Sequence, residues 1–388
     1  MDNHATTPLD PRVLEAMMPY LTLDFGNPAS TDHLYGAKAA DAVEKSREQL
    51  AKTINASAHE IIITSGATEA DNLAIQGIAR VRSAEGRHMI TSTTEHKAVL
   101  DPLHHLEGQG WLVTRVPVDS QGIIDLDKLE SSITSDTSLI SVMFANNEIG
   151  TIAPVGEIGK IAKEHEILFH TDAAQAVGHI PVDVQALGID LMSISAHKAY
   201  GPKGIGALYI RGHKPRVQLA PMLLGGGQER GLRSGTLNVP AIVGMGEALQ
   251  IARREMHQEA ARLTNWTLKM RRSFEALVGA ELNGHPSQRL PHNLNMYFPR
   301  VESKALIQSV RSEVAISASS ACTTDEVEPS HVILGLGFTP SRAHNSVRFG
   351  LGRFNTSEEV DFAIEAVSKG VGRLLTISAP REVSQRVA

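Results

Sequence analysis

Lys198 lies in the run Ser193-Ile194-Ser195-Ala196-His197-Lys198-Ala199-Tyr200-Gly201-Pro202-Lys203-Gly204, directly after a short apolar stretch. A lone lysine is usually solvated. One placed at the end of a buried strand sits where ligands gather in α/β sheets, and it can form a Schiff base with an aldehyde cofactor. Ser195 and His197 flank it as phosphate donors, and Lys203, in a turn before Gly204, is the weaker candidate. Asp172, in His170-Thr171-Asp172-Ala173-Ala174-Gln175, also follows an apolar run. It could cap the next helix, or aim a carboxylate at a cofactor ring nitrogen. In Ser65-Gly66-Ala67-Thr68-Glu69, Gly66 permits a tight turn. The amides of Ala67 and Thr68 would then open a helix as a phosphate site, unless Ser65 or Thr68 is simply an N-cap. Together these stretches supply a phosphate cradle, a carboxylate and a Schiff-base lysine, the set that pyridoxal phosphate requires.

Cys322 is the only cysteine, so no internal disulfide can form. A lone cysteine is more often a small buried residue than a nucleophile. Its surroundings, Ser317-Ala318-Ser319-Ser320-Ala321-Cys322-Thr323-Thr324, are small and polar and offer no apolar face at either period. They read as an exposed loop, where an unused thiol would be a chemical liability.

Those residues need a scaffold. Apolar, β-rich runs at 60–64, 88–91, 139–144, 168–170, 191–195 and 206–210 alternate with helical stretches at 68–82, from 97, and at 155–166. Such alternation predicts an α/β sheet, mostly parallel and covered on both faces. A helical tract over 239–277 leads to strands at 294–297 and 347–349, mixed with helices at 303–310 and 357–375, which reads as a smaller α+β unit. The expected division is a large domain over 15–251 and a small one over 252–388, with segment 1–14 packing on the latter.

Composition narrows the function further. A net charge of −6 gives no global basic field for nucleic acid. With 42% hydrophobic and 21% charged residues the chain is ordinary for a globular protein. No window approaches the apolar length of a membrane span, and Met1-Asp2-Asn3-His4 does not start like a signal peptide, so a cytoplasmic setting is expected. The His104-His105 pair and the His165/His170 spacing match no zinc pattern, and no metal is assigned.

Several stretches in one order carry a family resemblance: Ala5-Thr6-Thr7-Pro8, Phe25-Gly26-Asn27-Pro28, Thr64-Ser65-Gly66-Ala67-Thr68-Glu69, Thr94-Glu95-His96-Lys97, Asn146-Asn147-Glu148-Ile149-Gly150, the Lys198 run, Arg233-Ser234-Gly235-Thr236 and Ser320-Ala321-Cys322-Thr323. From Met1 to about Leu375 the chain resembles the cysteine desulfurases of the class V aminotransferase group, within the fold-type I pyridoxal-phosphate enzymes. It looks most like the iron–sulfur-assembly and nitrogen-fixation desulfurases. The resemblance implies that Lys198 holds the cofactor, Asp172 pairs with its ring nitrogen and Gln175 reaches its phenolic oxygen. Ala67, Thr68, Ser195 and His197 would bind the phosphate, with Thr236 reaching it from the partner subunit of a homodimer. His96 would stack on the ring and relay protons, beside Asn147. Arg348 would clamp the carboxylate of L-cysteine, and Cys322 would take its sulfur and pass it to an iron–sulfur scaffold or another acceptor protein.

The chain departs from the family at Ser319 and Ala196, both usually glycine, and the given sequence starts at Met1-Asp2, where relatives carry a short strand before the Asp-Asn stretch, so a genuine and a clipped start both stay open. Two other readings stay open at this point. One is a selenocysteine lyase or small-amino-acid aminotransferase of the same fold. The other is a catalytically silent partner that only docks on an assembly complex.

Overall fold

Six strands of the larger sheet are buried at every position, as expected where helices cover both faces of a sheet. The computed structural model describes residues 1–84, 86–213, 216–277, 279–318 and 328–378. In chain order the elements are α1 (Pro11–Thr22), α2 (Leu34–Thr53), β1 (Ile61–Thr64), α3 (Ala67–Arg82), β2 (His88–Ser92), α4 (Lys97–Glu107), β3 (Leu112–Val116), α5 (Leu126–Ser131), β4 (Thr137–Ser141), α6 (Val155–Glu164), β5 (Leu168–Asp172), β6 (Leu191–Ser195) and β7 (Gly206–Ile210). Then follow α7 (Val239–Glu275), β8 (Glu281–Leu282), β9 (Asn293–Tyr297), α8 (Ser303–Val310), β10 (Ser317–Ala318), α9 (His331–Gly335), α10 (Pro340–His344), β11 (Ser346–Gly350) and α11 (Ser357–Ser378).

The larger sheet has the order β1-β7-β6-β5-β4-β2-β3. β7 is antiparallel to both its neighbours, and the other pairings are parallel. Successive residues enter opposite layers, as strand geometry demands. Ile61, Ile63, Ile90, Ile140 and Phe169 join a core shared with α2, α6 and α7. Ile62, Met89, Leu139 and Leu168 join the layer beneath α3 and α4. The chain therefore has the fold-type I architecture read from the sequence.

Two elements end earlier than the sequence suggests. The strand expected over 139–144 closes at Ser141 because β2 ends beside it. The Glu95 side chain then accepts the Met143 amide at 2.9 Å in place of a ladder partner. The helix expected over 155–166 stops at Glu164, and Glu166 takes a left-handed φ of 57° that turns the chain into β5.

The smaller sheet, β10-β11-β9-β8, is wholly antiparallel. Its core, with Phe274, Met296, Phe298, Phe349 and Val367, is closed by α8, α11 and the distal part of α7. α7 serves both sheets. Its first half packs on α1 and α2, and at Gly246 an added Cβ would lie 2.5 Å from Gln49 Oε1 and 2.8 Å from Ser46 Cβ, so glycine permits the close approach. From Leu263 onward its buried residues belong to the smaller core. We propose the division near residue 252 on this change of partners. The N-terminal segment touches both parts. The Asn3 amide donates to Gly350 O on β11 at 3.0 Å, whereas the Thr7 and Asp10 amides donate to His197 O and Tyr200 O. Among the described residues no helix is long and apolar enough to cross a membrane.

Candidate active site

Three strand ends and two helix starts open on one cavity of about 510 Å³. Lys198 follows β6 in a single helical turn, Ala196–Lys198. Its Nζ donates to the carbonyls of His4 and, at 3.0 Å, Ala5. Asp172 closes β5, is 7% exposed, and accepts the Ala174 amide at 2.9 Å. It therefore both caps the following turn and faces the cavity. Burial raises its pKa, against the opposing pull of His96, the Ala174 amide and Lys198.

The start of α3 supplies the cradle. Gly66 adopts φ 156° and ψ 179°, a region that essentially only glycine occupies, and a Cβ there would meet nothing within 4 Å. The turn is braced from outside. The Ser65 amide donates to Glu69 Oε2 at 2.8 Å, and Glu69 Oε1 pairs with Arg233 Nε at 2.8 Å. Ala67 and Thr68 thus present first-turn amides to the cavity, where the helix dipole favours an anion. Ser195 and His197 approach the same space from the end of β6. His197 Nδ1 lies 3.0 Å from Thr6 Oγ1, and burial with the charges of Lys198 and Lys203 lowers its pKa to about 4.

His96 is the N-cap of α4, and its Nδ1 accepts the Ala98 amide at 3.1 Å. That bond places the proton of the neutral ring on Nε2. It is thus both a helix-start residue and part of the cavity wall. Gln175 is held by His4, with Oε1 3.0 Å from the ring Nδ1 and Nε2 donating to the His4 carbonyl at 3.2 Å. Arg348, 3% exposed, reaches in from β11 of the smaller sheet. Its Nη1 donates to Asn147 O at 2.8 Å and its Nη2 lies 3.4 Å from Asp2 Oδ1, while Nε is buried without a hydrogen-bond partner.

Ala67, Thr68, His96, Asn147, Asp172, Gln175, Ser195, His197, Lys198 and Arg348 therefore share one cavity. Thr236 does not line it and is exposed in the single chain. Cys322 lies outside the described residues. Sequence reasoning gave no role to His4, Ala5, Thr6, Met143 or Asp71, which also line the cavity. The run Ala5-Thr6-Thr7-Pro8 signals the first group. For Asp71 the signal is an acid set among the buried Ala70, Leu73 and Ala74 of α3.

The residues present fit pyridoxal phosphate. The open turn at Gly66 has room and amide donors for the phosphate, Asp172 stands at a strand end for the ring nitrogen, and the Lys198 amine is within the same walls. A doubly wound sheet with this set at its strand ends defines a fold-type I enzyme dependent on that cofactor. The aminotransferase class-V family model matches residues 1–362, and the chain belongs to that family. It is 52% identical over 379 residues to the cysteine desulfurase IscS of Anaeromyxobacter dehalogenans (strain 2CP-C), covering 97% of this chain and 93% of that protein. It is 49% identical over 383 residues to the cysteine desulfurase IscS of Vibrio cholerae serotype O1 (strain M66-2), covering 97% and 94%. A solved NifS-like protein superposes with a TM-score of 0.90 at 38% identity, over 96% of this chain and 98% of that one. The structure titled SspA in complex with cysteine gives 0.80 at 38% identity, over 92% and 99%.

Proposed function

We infer that this chain is a cysteine desulfurase, which takes the sulfur of L-cysteine, releases L-alanine and carries the sulfur on Cys322 before passing it to an acceptor protein. Relatives named for that activity at about half identity favour it over selenocysteine lyase or aminotransferase chemistry. The observation that carries the role of Cys322 is the anchoring of the chain on either side of it. Ser317 pairs with Arg348 across β10 and β11. Ser330 donates to Glu148 Oε2 at 2.5 Å, one residue from Asn147 in the cavity wall. Cys322 is four positions beyond Ala318, a chain reach of at most about 14 Å.

Pyridoxal phosphate, when bound, supplies the aldehyde that engages the substrate amine and the ring that takes up electrons released at Cα. The chain's own residues do the rest. Arg348 holds the substrate carboxylate through charge-assisted N–H bonds, and the Lys198 amine removes the Cα proton. Asp172 would meet the ring nitrogen, and Gln175, positioned by His4, would meet the phenolic oxygen. The Cys322 thiolate attacks the substrate sulfur, so that an S–S bond forms as the Cβ–S bond breaks, and the electron pair left on the alanyl portion takes up protons. His96 Nε2 and Lys198 are placed to return them.

A homodimer completes the site, supported by the exposed Leu21, Leu23, Phe25, Leu34, Tyr35 and Leu224, more large apolar surface than isolated residues account for. In it, Thr236 would reach the neighbour's phosphate. The acceptor is an iron–sulfur scaffold or another thiolation protein in a reducing, cytoplasmic setting. The test is brief exposure to cysteine followed by peptide mass spectrometry. One added sulfur on the Cys322 peptide is expected, and Cys322→Ser should keep the cofactor yet release essentially no alanine. Alanine release by that variant at the wild-type rate would refute the assignment.

A further inference from the structure

Asp71 has no part in the mechanism above, yet it borders the cavity from α3 and is wholly buried. Both its carboxyl oxygens are buried without a well-formed hydrogen bond, and the one neighbouring donor, the Ser193 hydroxyl, is shared with His170. The nearest ring nitrogen, His170 Nε2, is 3.5 Å from Oδ1, too far for a good bond. His170 is itself occupied between Ser141 Oγ at 2.8 Å and Ser193 Oγ at 3.1 Å, and it is held neutral by burial. The groups acting on Asp71 are Asp172 on β5, Glu95 after β2 and the Ser193 hydroxyl on β6, so no cation compensates it.

Three buried acids in one place cannot all ionise. Asp172 has the best claim to the charge, because His96, the Ala174 amide and Lys198 all favour its anion. Glu95 has one amide donor, Met143, and its other oxygen is unpartnered. Asp71 has neither cation nor amide, and burial beside Asp172 holds its pKa well above the usual carboxylate range. A carboxyl kept neutral becomes a donor, and the anion beside it is Asp172.

We propose that Asp71 is a positioning residue which, as a neutral acid, donates its O–H to Asp172, directly or across one water, and so fixes the carboxylate that faces the cofactor's ring nitrogen. The proposal rests on the reading that Asp172 meets that nitrogen. It gives the orphaned oxygens of Asp71 a use and leaves one negative charge, rather than two or three, beneath the ring. An unpaired buried acid on a helix otherwise packed with Ala70, Leu73 and Ala74 is a cost that a purely structural position would avoid.

The experiment compares Asp71→Asn and Asp71→Ala with the wild type, reading the dissociation constant for pyridoxal phosphate added to the cofactor-free protein and the pH midpoint of the visible band of the loaded protein. Asparagine keeps the shape, the neutrality and a donor, so it should match the wild type within about threefold in affinity with an unmoved midpoint. Alanine removes the donor, so affinity should fall about tenfold or more and the midpoint should move by more than about half a pH unit. Asparagine behaving like alanine would overturn the proposal by showing that Asp71 acts as an anion. Both variants matching the wild type would overturn it by showing a spectator. Asp172→Ala separates the two layers of the reading. If it leaves affinity and midpoint intact, the role of Asp172 itself fails. If it moves them while Asp71→Ala does not, only the role of Asp71 fails.

Discussion

Arg348→Lys tests the substrate clamp most directly. The guanidinium is 3% exposed and already spends one N–H on Asn147 O at 2.8 Å. Its contact with Asp2 is long, 3.4 Å, and Nε has no partner. A carboxylate approaching from the cavity can therefore take Nε together with Nη2, replacing the weak contact and keeping the strong one. Lysine retains the charge but not the planar fork, so one of two charge-assisted bonds is lost. At roughly 1.5–3 kcal/mol for such a bond, KM for cysteine should rise about 10- to 100-fold. The clamp grips the carboxylate before and during the reaction alike, so kcat should move far less. The assay is alanine formation against cysteine concentration. A second measurement in the Cys322→Ser background, where turnover stops, reads cysteine binding from the visible spectrum and separates affinity from rate. Unchanged KM and kcat would show that Arg348 only ties the two sheets. Lost kcat with unchanged KM would refute the clamp equally.

Lys198→Ala should abolish the yellow colour of the loaded protein, and an unchanged visible spectrum would defeat the Schiff-base assignment. Sedimentation should show a dimer, and a fully active monomer would rule out a composite site. Burial lowers the pKa of His170 to about 3, so below about pH 6.5 the unfolded chain binds a proton that the folded one refuses. This contribution is present above the unfolded value and is lost as pH falls, by about 2 kcal/mol between pH 7 and pH 5. In chemical unfolding, His170→Gln should shrink the fall in stability over that interval by this amount, and equal slopes would show that His170 is not held neutral.

What could be read from the sequence was whatever local pattern determines. The strands at 191–195 and 206–210 were legible because burial on both faces favours runs rich in apolar residues, here Leu191, Met192, Ile194 and Ala207 to Ile210, and they occur as read. Asp172 was legible because it closes such a run, and Ala67 and Lys198 because each follows one within three residues. The early end of β4 was not legible, since it depends on Glu95 reaching the Met143 amide from another strand's end. Nor was the stack of His4, His292 and His179, with ring centroids 4.3 Å and 4.0 Å apart, which joins residues remote in sequence behind Lys198. Asp71 looked like an ordinary helix acid because a 3.6-residue period shows which face is buried but not what other acids await there.

The proposed base and clamp belong to different sheets, so their separation must be set by contacts between them. Two are direct. Arg348 on β11 bonds to Asn147 O beyond β4. The N-terminal segment pairs with Gly350, places the His4 and Ala5 carbonyls on Lys198 Nζ, and docks Thr7 on the loop after β6 through the Tyr200 amide, 2.9 Å from Thr7 Oγ1. Arg353, just after β11, adds a third tie by pairing with Asp10 at 2.9 Å and with Glu259 of α7 at 2.8 Å. A carboxylate held by Arg348 is thereby held at a fixed distance from the Lys198 amine, which is the orientation that converts binding into rate. It also explains why Ala5-Thr6-Thr7-Pro8, which contains no titratable side chain, places Ala5 and Thr6 in the wall of the proposed catalytic cavity. Its backbone carbonyls and hydroxyls join the sheet that carries the base to the sheet that carries the clamp.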